Sequence, residues 1–108
     1  MVARAYFEPI KTIAFGAISA TYATVGPVTG KEVRVFCITN NTQGDLFFTT
    51  DASIDQMFLA AKSYRLYDVQ ANMNTQKDDS YVLSVGTQFS VKQITAPISG
   101  AVYIECIY

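Results

Sequence analysis

The sequence contains no histidine and no tryptophan, and only two of its 108 residues are cysteines. The missing histidine removes the commonest general base and the catalytic triads that are built on it. Without tryptophan, a sugar could stack only on tyrosine or phenylalanine. Cys37 and Cys106 lack the spacing of a metal site or a disulfide framework, so we interpret both as buried apolar residues. We therefore expect no enzyme and no catalytic, cofactor-binding or metal-binding residue.

Charge is also scarce, because charged residues make up 16% of the chain and the formal net charge is −1. No run of lysine or arginine could neutralise a phosphate backbone, which argues against a nucleic-acid partner. No apolar stretch reaches the ~18 residues that span a bilayer, so we expect no membrane partner. Glu8, Pro9 and Lys11 interrupt the only segment that resembles a secretion signal, and we interpret the start as mature protein.

Apolar residues, by contrast, are abundant: 50% of the chain is hydrophobic, with seven tyrosines and seven phenylalanines. A chain of this length forms one domain and buries about two-thirds of its unfolded surface, so it can build a core without staples. With so little charge to keep it apart from other molecules, such a protein is expected to cover part of its surface with a partner or with its own copies.

Residues 31–39, KEVRVFCIT, alternate with the period of a β-strand. Arg34 is taken to mark the outer face, and this assignment places Phe36 and Ile38 at the surface and Cys37 in the interior. We therefore predict that Phe36 and Ile38 contact a partner. Tyr6 and Phe7 are the other predicted contacts, because they lie on an N-terminal arm formed by residues 1–10.

Two further segments alternate clearly. In residues 101–108, AVYIECIY, Glu105 marks the outer face, which places Val102, Ile104 and Cys106 in the core. If Cys37 also faces inward, the two cysteines share one interior. Within residues 87–94, TQFSVKQI, the pattern places Phe89 and Val91 inside and Gln88, Ser90 and Lys92 outside.

The remaining strand candidates are separated by stretches rich in glycine, asparagine, aspartate and proline, which favour turns. They are residues 11–19, 45–50, 56–61, 64–69 and 80–85. About eight short strands with such spacing predict an all-β protein, an antiparallel β-sandwich or jelly roll, as a single domain over residues 11–108. One alternative is open: residues 53–64 also carry apolar residues three or four apart, as in a short helix.

The loop TNNTQGD, residues 39–45, has the residues of a tight connection between two strands. Its Asn40-Asn41-Thr42 also matches an N-glycosylation acceptor, which would matter only in a secreted protein. Six aspartates could supply oxygens for calcium, but they lack the alternation of a calcium loop, so we interpret them as turn formers.

The order of signals in residues 39–108 resembles small proteins encoded beside the capsid genes of tailed bacteriophages. The segments that carry the resemblance are turn and strand signals, at residues 39–42, 50–51, 59–63, 64–72, 86–88 and 99–108. One departure is Thr50-Asp51-Ala52, where those proteins often have Ser-Asp-Gly, and this affects the loop because only glycine takes positive φ freely.

The resemblance implies a cement or decoration protein with a β-sandwich or jelly-roll fold, bound to the outside of the capsid after assembly in the host cytoplasm. Its partner would be the major capsid protein, and the protein itself would form a homo-oligomer, a dimer or a trimer. No catalytic residue is implied. Two other functions are open: a head-to-tail adaptor or tail-associated β-sandwich, and a carbohydrate-binding or receptor-binding module in which exposed tyrosines contact sugar.

Overall fold

The structure is a computed structural model that describes residues 6–51, 54–69 and 82–108. Within these ranges the chain forms eight strands and one short 3-10 helix, Phe15–Ala17. The strands are β1 (Lys11–Ala14), β2 (Ala23–Thr24), β3 (Val35–Thr42), β4 (Leu46–Thr49), β5 (Met57–Leu59), β6 (Ser63–Asp68), β7 (Ser90–Gln93) and β8 (Gly100–Ile107).

The strands form two four-stranded antiparallel sheets, which we call the first sheet, in the order β1-β8-β3-β6, and the second sheet, in the order β2-β7-β4-β5. The pairs β1–β8, β2–β7, β3–β6 and β4–β5 are nested, as in one long hairpin that turns between β4 and β5. Pairing of β8 with β3 and of β7 with β4 rolls this hairpin into two layers. Nested pairs rolled in this way form a jelly roll, so the predicted all-β fold is confirmed.

The core lies between the two sheets and consists of aliphatic and aromatic side chains with one cysteine. Its buried members are Ile18, Val25, Val33, Phe36, Ile38, Leu46, Phe48, Leu59, Phe89, Val91, Val102, Ile104 and Cys106. The inward faces predicted for β8 and for Phe89 and Val91 are therefore confirmed. Ser90, predicted to face outward as an exposed residue, points away from this core but is nevertheless buried.

The predicted face of the segment around Arg34 is wrong. Phe36 and Ile38 are buried in the core, whereas Cys37 lies on the outer face of the first sheet and is partly exposed. The chain bends at Arg34 before β3 begins, so the alternation changes phase between Val33, which is buried, and Phe36. Arg34 therefore does not report the face of the residues after it, because alternation holds only within a continuous strand.

The segment before β1 lies along the end of β8. The backbone N–H of Tyr6 donates to the carbonyl oxygen of Tyr108 at 3.2 Å. The backbone N–H of Glu8 donates to the carbonyl oxygen of Cys106 at 3.0 Å. Phe7 pairs with Ile107, and Lys11 with Ile104, so this edge has one residue more than β8 over the same stretch. Such a bulge adds local twist at a sheet edge. The predicted arm of residues 1–10 is described from residue 6 onward.

The predicted helix alternative does not hold for residues 54–64, which contain β5 and the start of β6. The strand predicted at residues 80–85 extends outside the described part of the chain at residues 80 and 81. Within the described part, Leu83 forms an isolated antiparallel bridge with Val33.

The TNNTQGD loop is organised by Asn40, which is fully buried. Its Nδ2 donates to the carbonyl oxygens of Gly44 at 2.9 Å, Ala60 at 3.1 Å and Leu59 at 3.3 Å. Its Oδ1 accepts from the hydroxyl of Thr42 at 2.6 Å. This side chain ties the crossing between the sheets to the end of β5, so the buried Nδ2 is not accessible for glycosylation in the folded chain.

Candidate functional site

The four predicted contact residues fall into two groups. Phe36 and Ile38 are 5% and 1% exposed, so neither offers its side chain to a partner. Tyr6 and Phe7 are exposed, at the edge where the N-terminal segment meets the end of β8. Of the four, Tyr6 and Phe7 are therefore the residues that a partner could contact.

Phe7 belongs to a surface on the outer side of the first sheet, which we call the apolar face. Residues that pair directly across strands share one side of a sheet, and by this rule the face is built from Phe7 and from outward-facing residues of β3, β6 and β8. Its members are Phe7, Val35, Cys37, Tyr64, Leu66, Tyr103 and Ile107.

The strand register arranges the apolar face in rows. Phe7 lies opposite Ile107, which in turn lies opposite Val35. Cys37 lies opposite Leu66 in the next row. Phe7 is 70% exposed and Leu66 is 62% exposed, far more than a core position tolerates. Contiguous apolar surface of this kind is typical of a site that another molecule covers.

Two carboxylates of the described chain lie on the outer side of the first sheet: Asp68 at the β6 edge, opposite Val35, and Glu105 within the apolar face. Glu105 on β8 is exposed and pairs with Cys37, so it lies among the apolar rows rather than at their margin. In the described part of the chain, no lysine or arginine forms an ion pair with it. An uncompensated charge in apolar surroundings favours a partner that brings a cation, because pairing offsets the cost of removing water from the carboxylate.

The N-terminal margin of the apolar face is aromatic and cationic. The rings of Tyr6 and Tyr108 are in contact, with centroids 4.8 Å apart. The Lys31 Nζ lies 4.9 Å from the centroid of Tyr108 and 5.7 Å from that of Tyr6. These cation–π contacts hold Tyr108 against Tyr6, the neighbour of Phe7 in the N-terminal segment.

The outer side of the second sheet carries a different feature, a concave site that we call the polar cleft. It has a volume of about 740 Å³, within the range of small-molecule sites. Its lining comes from the segment before β2, from β2 and β7, and from the end of the β4 region: Ala20, Thr21, Tyr22, Thr24, Thr50, Gln88, Ser90 and Lys92.

A clamp of three side chains lies at the polar cleft. The hydroxyl of Tyr22 donates to Oδ1 of Asp55 at 2.6 Å, and Lys92 Nζ lies 3.0 Å from the same oxygen. Lys92 Nζ also lies 5.1 Å from the Tyr22 ring centroid. The hydrogen bond from Tyr22 and then the contact with Lys92 lower the pKa of Asp55. Burial, followed by the hydrogen bond to Asp55, raises the pKa of Tyr22, so its hydroxyl is protonated and able to donate at neutral pH.

The hydroxyl side chains of Thr24 and Ser90 line the polar cleft, and the buried Thr49 continues their row. Thr24 pairs with Ser90, and Ser90 pairs with Thr49, so three strands place hydroxyls side by side on one face. The Thr49 hydroxyl accepts from the backbone N–H of Asp51 at 2.9 Å. Among the described residues, by contrast, no hydrogen bond engages the side chains of Thr24 and Ser90.

Sequence reasoning missed both surfaces for identifiable reasons. Tyr64 and Leu66 alternate with Arg65 and Tyr67 on β6, so both faces of that edge strand look partly apolar in the sequence. The polar cleft depends on β2, whose two residues are too few to show any period.

Within residues 6–51, 54–69 and 82–108, no three cysteine, aspartate or glutamate side chains come together as they would around a metal ion. In the same ranges no helix is both long and apolar enough to cross a bilayer.

The strand order, the apolar face and the polar cleft together define the class of this protein: a jelly-roll domain with an exposed apolar surface on one sheet and a concave polar surface on the other. Comparison with protein-family models, with curated proteins and with solved structures found no match for the chain. The assignment of the chain to the jelly-roll class therefore rests on its strand pairing.

Proposed function

We propose that this chain is a structural virion protein of a tailed bacteriophage that binds the outside of the capsid and cements or decorates its capsomers. The resemblance of residues 39–108 to phage capsid-associated proteins suggests the setting. The observation that carries the proposal is the apolar face, which leaves Phe7, Tyr64 and Leu66 largely exposed in the isolated chain. Because burial of apolar surface is the main favourable term in association, this face is the surface we assign to docking.

The chemistry of the face defines the partner. Docking on the major capsid protein would place its apolar side chains against Leu66 and Phe7 and an arginine or lysine opposite Glu105. A charge-assisted contact at that point selects the correct register, since the wrong register leaves the carboxylate buried and unpaired.

The same charge bears on self-association. A twofold pairing centred on the apolar face would bring two Glu105 side chains together, and like charges in apolar surroundings oppose association. The face therefore fits a different protein better than a second copy. Copies of this chain, as a dimer or a trimer at a symmetry axis of the capsid, would meet through other surfaces.

The copy number in purified virions tests the proposal. Quantitative peptide mass spectrometry would count the chain against the major capsid protein. A ratio of one, or a simple fraction such as one-half or one-third, supports decoration and points to the symmetry axis. A count limited to one or two rings of subunits would instead favour the alternative of a head-to-tail adaptor, and absence from the virion would reject the proposal.

A further inference from the structure

We propose that the polar cleft on the second sheet is a binding site for a neutral saccharide. The first observation is its shape, a concavity of about 740 Å³ in a protein whose first sheet is the one assigned to docking. The second is its lining, in which hydroxyls, one amide and one tyrosine ring lie among the carbon atoms that make up most of its exposed area. Small-molecule sites combine such concavity with a few polar groups that fix orientation.

The hydrogen-bonding capacity of the lining is only partly used. The hydroxyls of Thr24 and Ser90 make no hydrogen bond within the described residues and lie on paired strands. Both amide hydrogens of Gln88 are used, since its Nε2 donates to the carbonyl oxygens of Gly26 and Phe89, each at 3.0 Å. The Gln88 carbonyl oxygen is therefore left as an acceptor. Two hydroxyls that donate or accept, beside one acceptor, match the adjacent hydroxyls of a sugar ring.

The charge of the cleft argues for a neutral ligand. Among the described residues that line the cleft, Lys92 is the one cation, and its ammonium group already pairs with Asp55 at 3.0 Å. The Tyr22 hydroxyl donates to that same carboxylate oxygen, so the clamp satisfies its own charges. An anionic ligand would have to compete with Asp55 for Lys92, whereas a neutral polyol would meet a compensated site.

Tyr22 supplies the remaining element, a rigid aromatic ring at the wall of the cleft. Its hydroxyl is fixed by Asp55, so the ring has one orientation before any ligand arrives. Since Lys92 lies over one face of this ring, with its Nζ 5.1 Å from the centroid, the other face is the one that can present apolar area to a sugar at little entropic cost.

The site is independent of the proposed docking function. The apolar face and the polar cleft lie on opposite outer sides of the sandwich, so a chain docked through the first sheet keeps the cleft open to solvent. Failure of saccharide binding in the purified protein would therefore not affect the copy-number result. Absence of the chain from virions would likewise not affect the saccharide result.

An NMR titration of the purified full chain tests this inference. Neutral glucose, galactose, mannose and N-acetylglucosamine trisaccharides would each be added alone, with inorganic sulfate as an anionic comparison. We expect at least one trisaccharide to shift backbone amide resonances of residues 20–24 and 88–92, and sulfate to shift none of them. Thr24→Val should weaken that binding about tenfold, the equivalent of one lost hydrogen bond to the ligand.

The matched control is Thr12→Val, the same change at another exposed strand threonine, on the outer side of the first sheet. It should leave the affinity unchanged. Absence of shifts with all four trisaccharides would overturn the proposal. Sulfate binding at residues 88–92 without saccharide binding, or equal affinities of the two valine variants, would overturn it as well.

Discussion

Cys37 and Cys106 lie on adjacent strands of the first sheet but on opposite faces of it. In the register of β3 and β8, Cys106 pairs with Phe36 and Cys37 pairs with Glu105. Cys106 is 2% exposed in the core, whereas Cys37 belongs to the apolar face. Successive side chains of a strand point to opposite sides, so the two thiols point away from each other and cannot form a disulfide without rearrangement. Both are free.

This arrangement predicts unequal labelling of the two thiols. In the native protein, an aromatic disulfide reagent should modify Cys37 much faster than Cys106, because Cys106 becomes accessible only when the core opens. The absorbance of the released thiolate, followed over time at neutral pH, measures both rates. Cys37→Ser should remove the fast phase and Cys106→Ala the slow one. Equal rates in the native protein would contradict the placement of Cys106.

Burial also makes Cys106 a source of alkaline instability. It raises the pKa of the Cys106 thiol from 9.0 to about 11. Between these two values the unfolded chain has released a proton that the folded chain keeps. The free energy of unfolding therefore falls as the pH rises from 9 to about 11, and this thiol costs no stability below pH 9. Urea unfolding midpoints measured from pH 8 to 11 should decrease less steeply in Cys106→Ala than in the wild type. Parallel decreases would show that other groups account for the alkaline loss.

The sequence predicted the fold class and the core residues in and beside β7 and β8, because these two strands alternate without interruption, but not the core residues of β3, β4 and β5. It failed at Arg34, where a bend changes the phase of alternation. A period-two pattern cannot reveal such a bend, since both phases of KEVRVFCIT contain apolar residues. Of the predicted contact residues only Tyr6 and Phe7 are exposed. The polar cleft joins distant segments around a two-residue strand, and that proximity is a property of the rolled topology rather than of any local pattern.

Asn40 provides a sharp test of the fold. Asn40→Ala would leave the carbonyl oxygens of Gly44 and Ala60 without their buried donor, and we expect it to lower the free energy of unfolding by about 2–4 kcal/mol. Asn41→Ala, the same change at an exposed neighbour, should cost no more than about 0.5 kcal/mol. Urea denaturation of the two variants measures both values, and similar losses would contradict the role of Asn40.

Docking through the apolar face predicts that Leu66→Asp abolishes capsid binding. A second carboxylate in the row of Cys37 and Glu105 would lose apolar contact and add repulsion, without disturbing the core, because Leu66 is 62% exposed. Co-sedimentation with capsids that lack the protein measures the effect. Ile98→Asp is the control, since Ile98 is 74% exposed and lies in the loop before β8. Equal binding by the two variants would remove the apolar face from the mechanism.

The clamp at the polar cleft predicts that two different side chains act on one carboxyl group. The hydrogen bond from Tyr22 is the largest single cause that lowers the pKa of Asp55, and Lys92 lowers it through both a hydrogen bond and its charge. Tyr22→Phe and Lys92→Met should therefore each raise the Asp55 pKa toward its ordinary value. Carbon-13 NMR titration of the carboxyl resonance of Asp55 measures each pKa.

Both effects have a physical reason and a clear contrary result. A hydrogen bond to the ionised form acts directly on the oxygen that would be protonated, and a nearby cation stabilises the same negative charge, although solvent screens it. The Tyr22 hydroxyl lies 2.6 Å from Oδ1 of Asp55, and Lys92 Nζ lies 3.0 Å from the same oxygen. If Tyr22→Phe left the Asp55 pKa unchanged, the hydroxyl would not donate to Asp55 in solution, and it would be free to turn toward a ligand in the cleft.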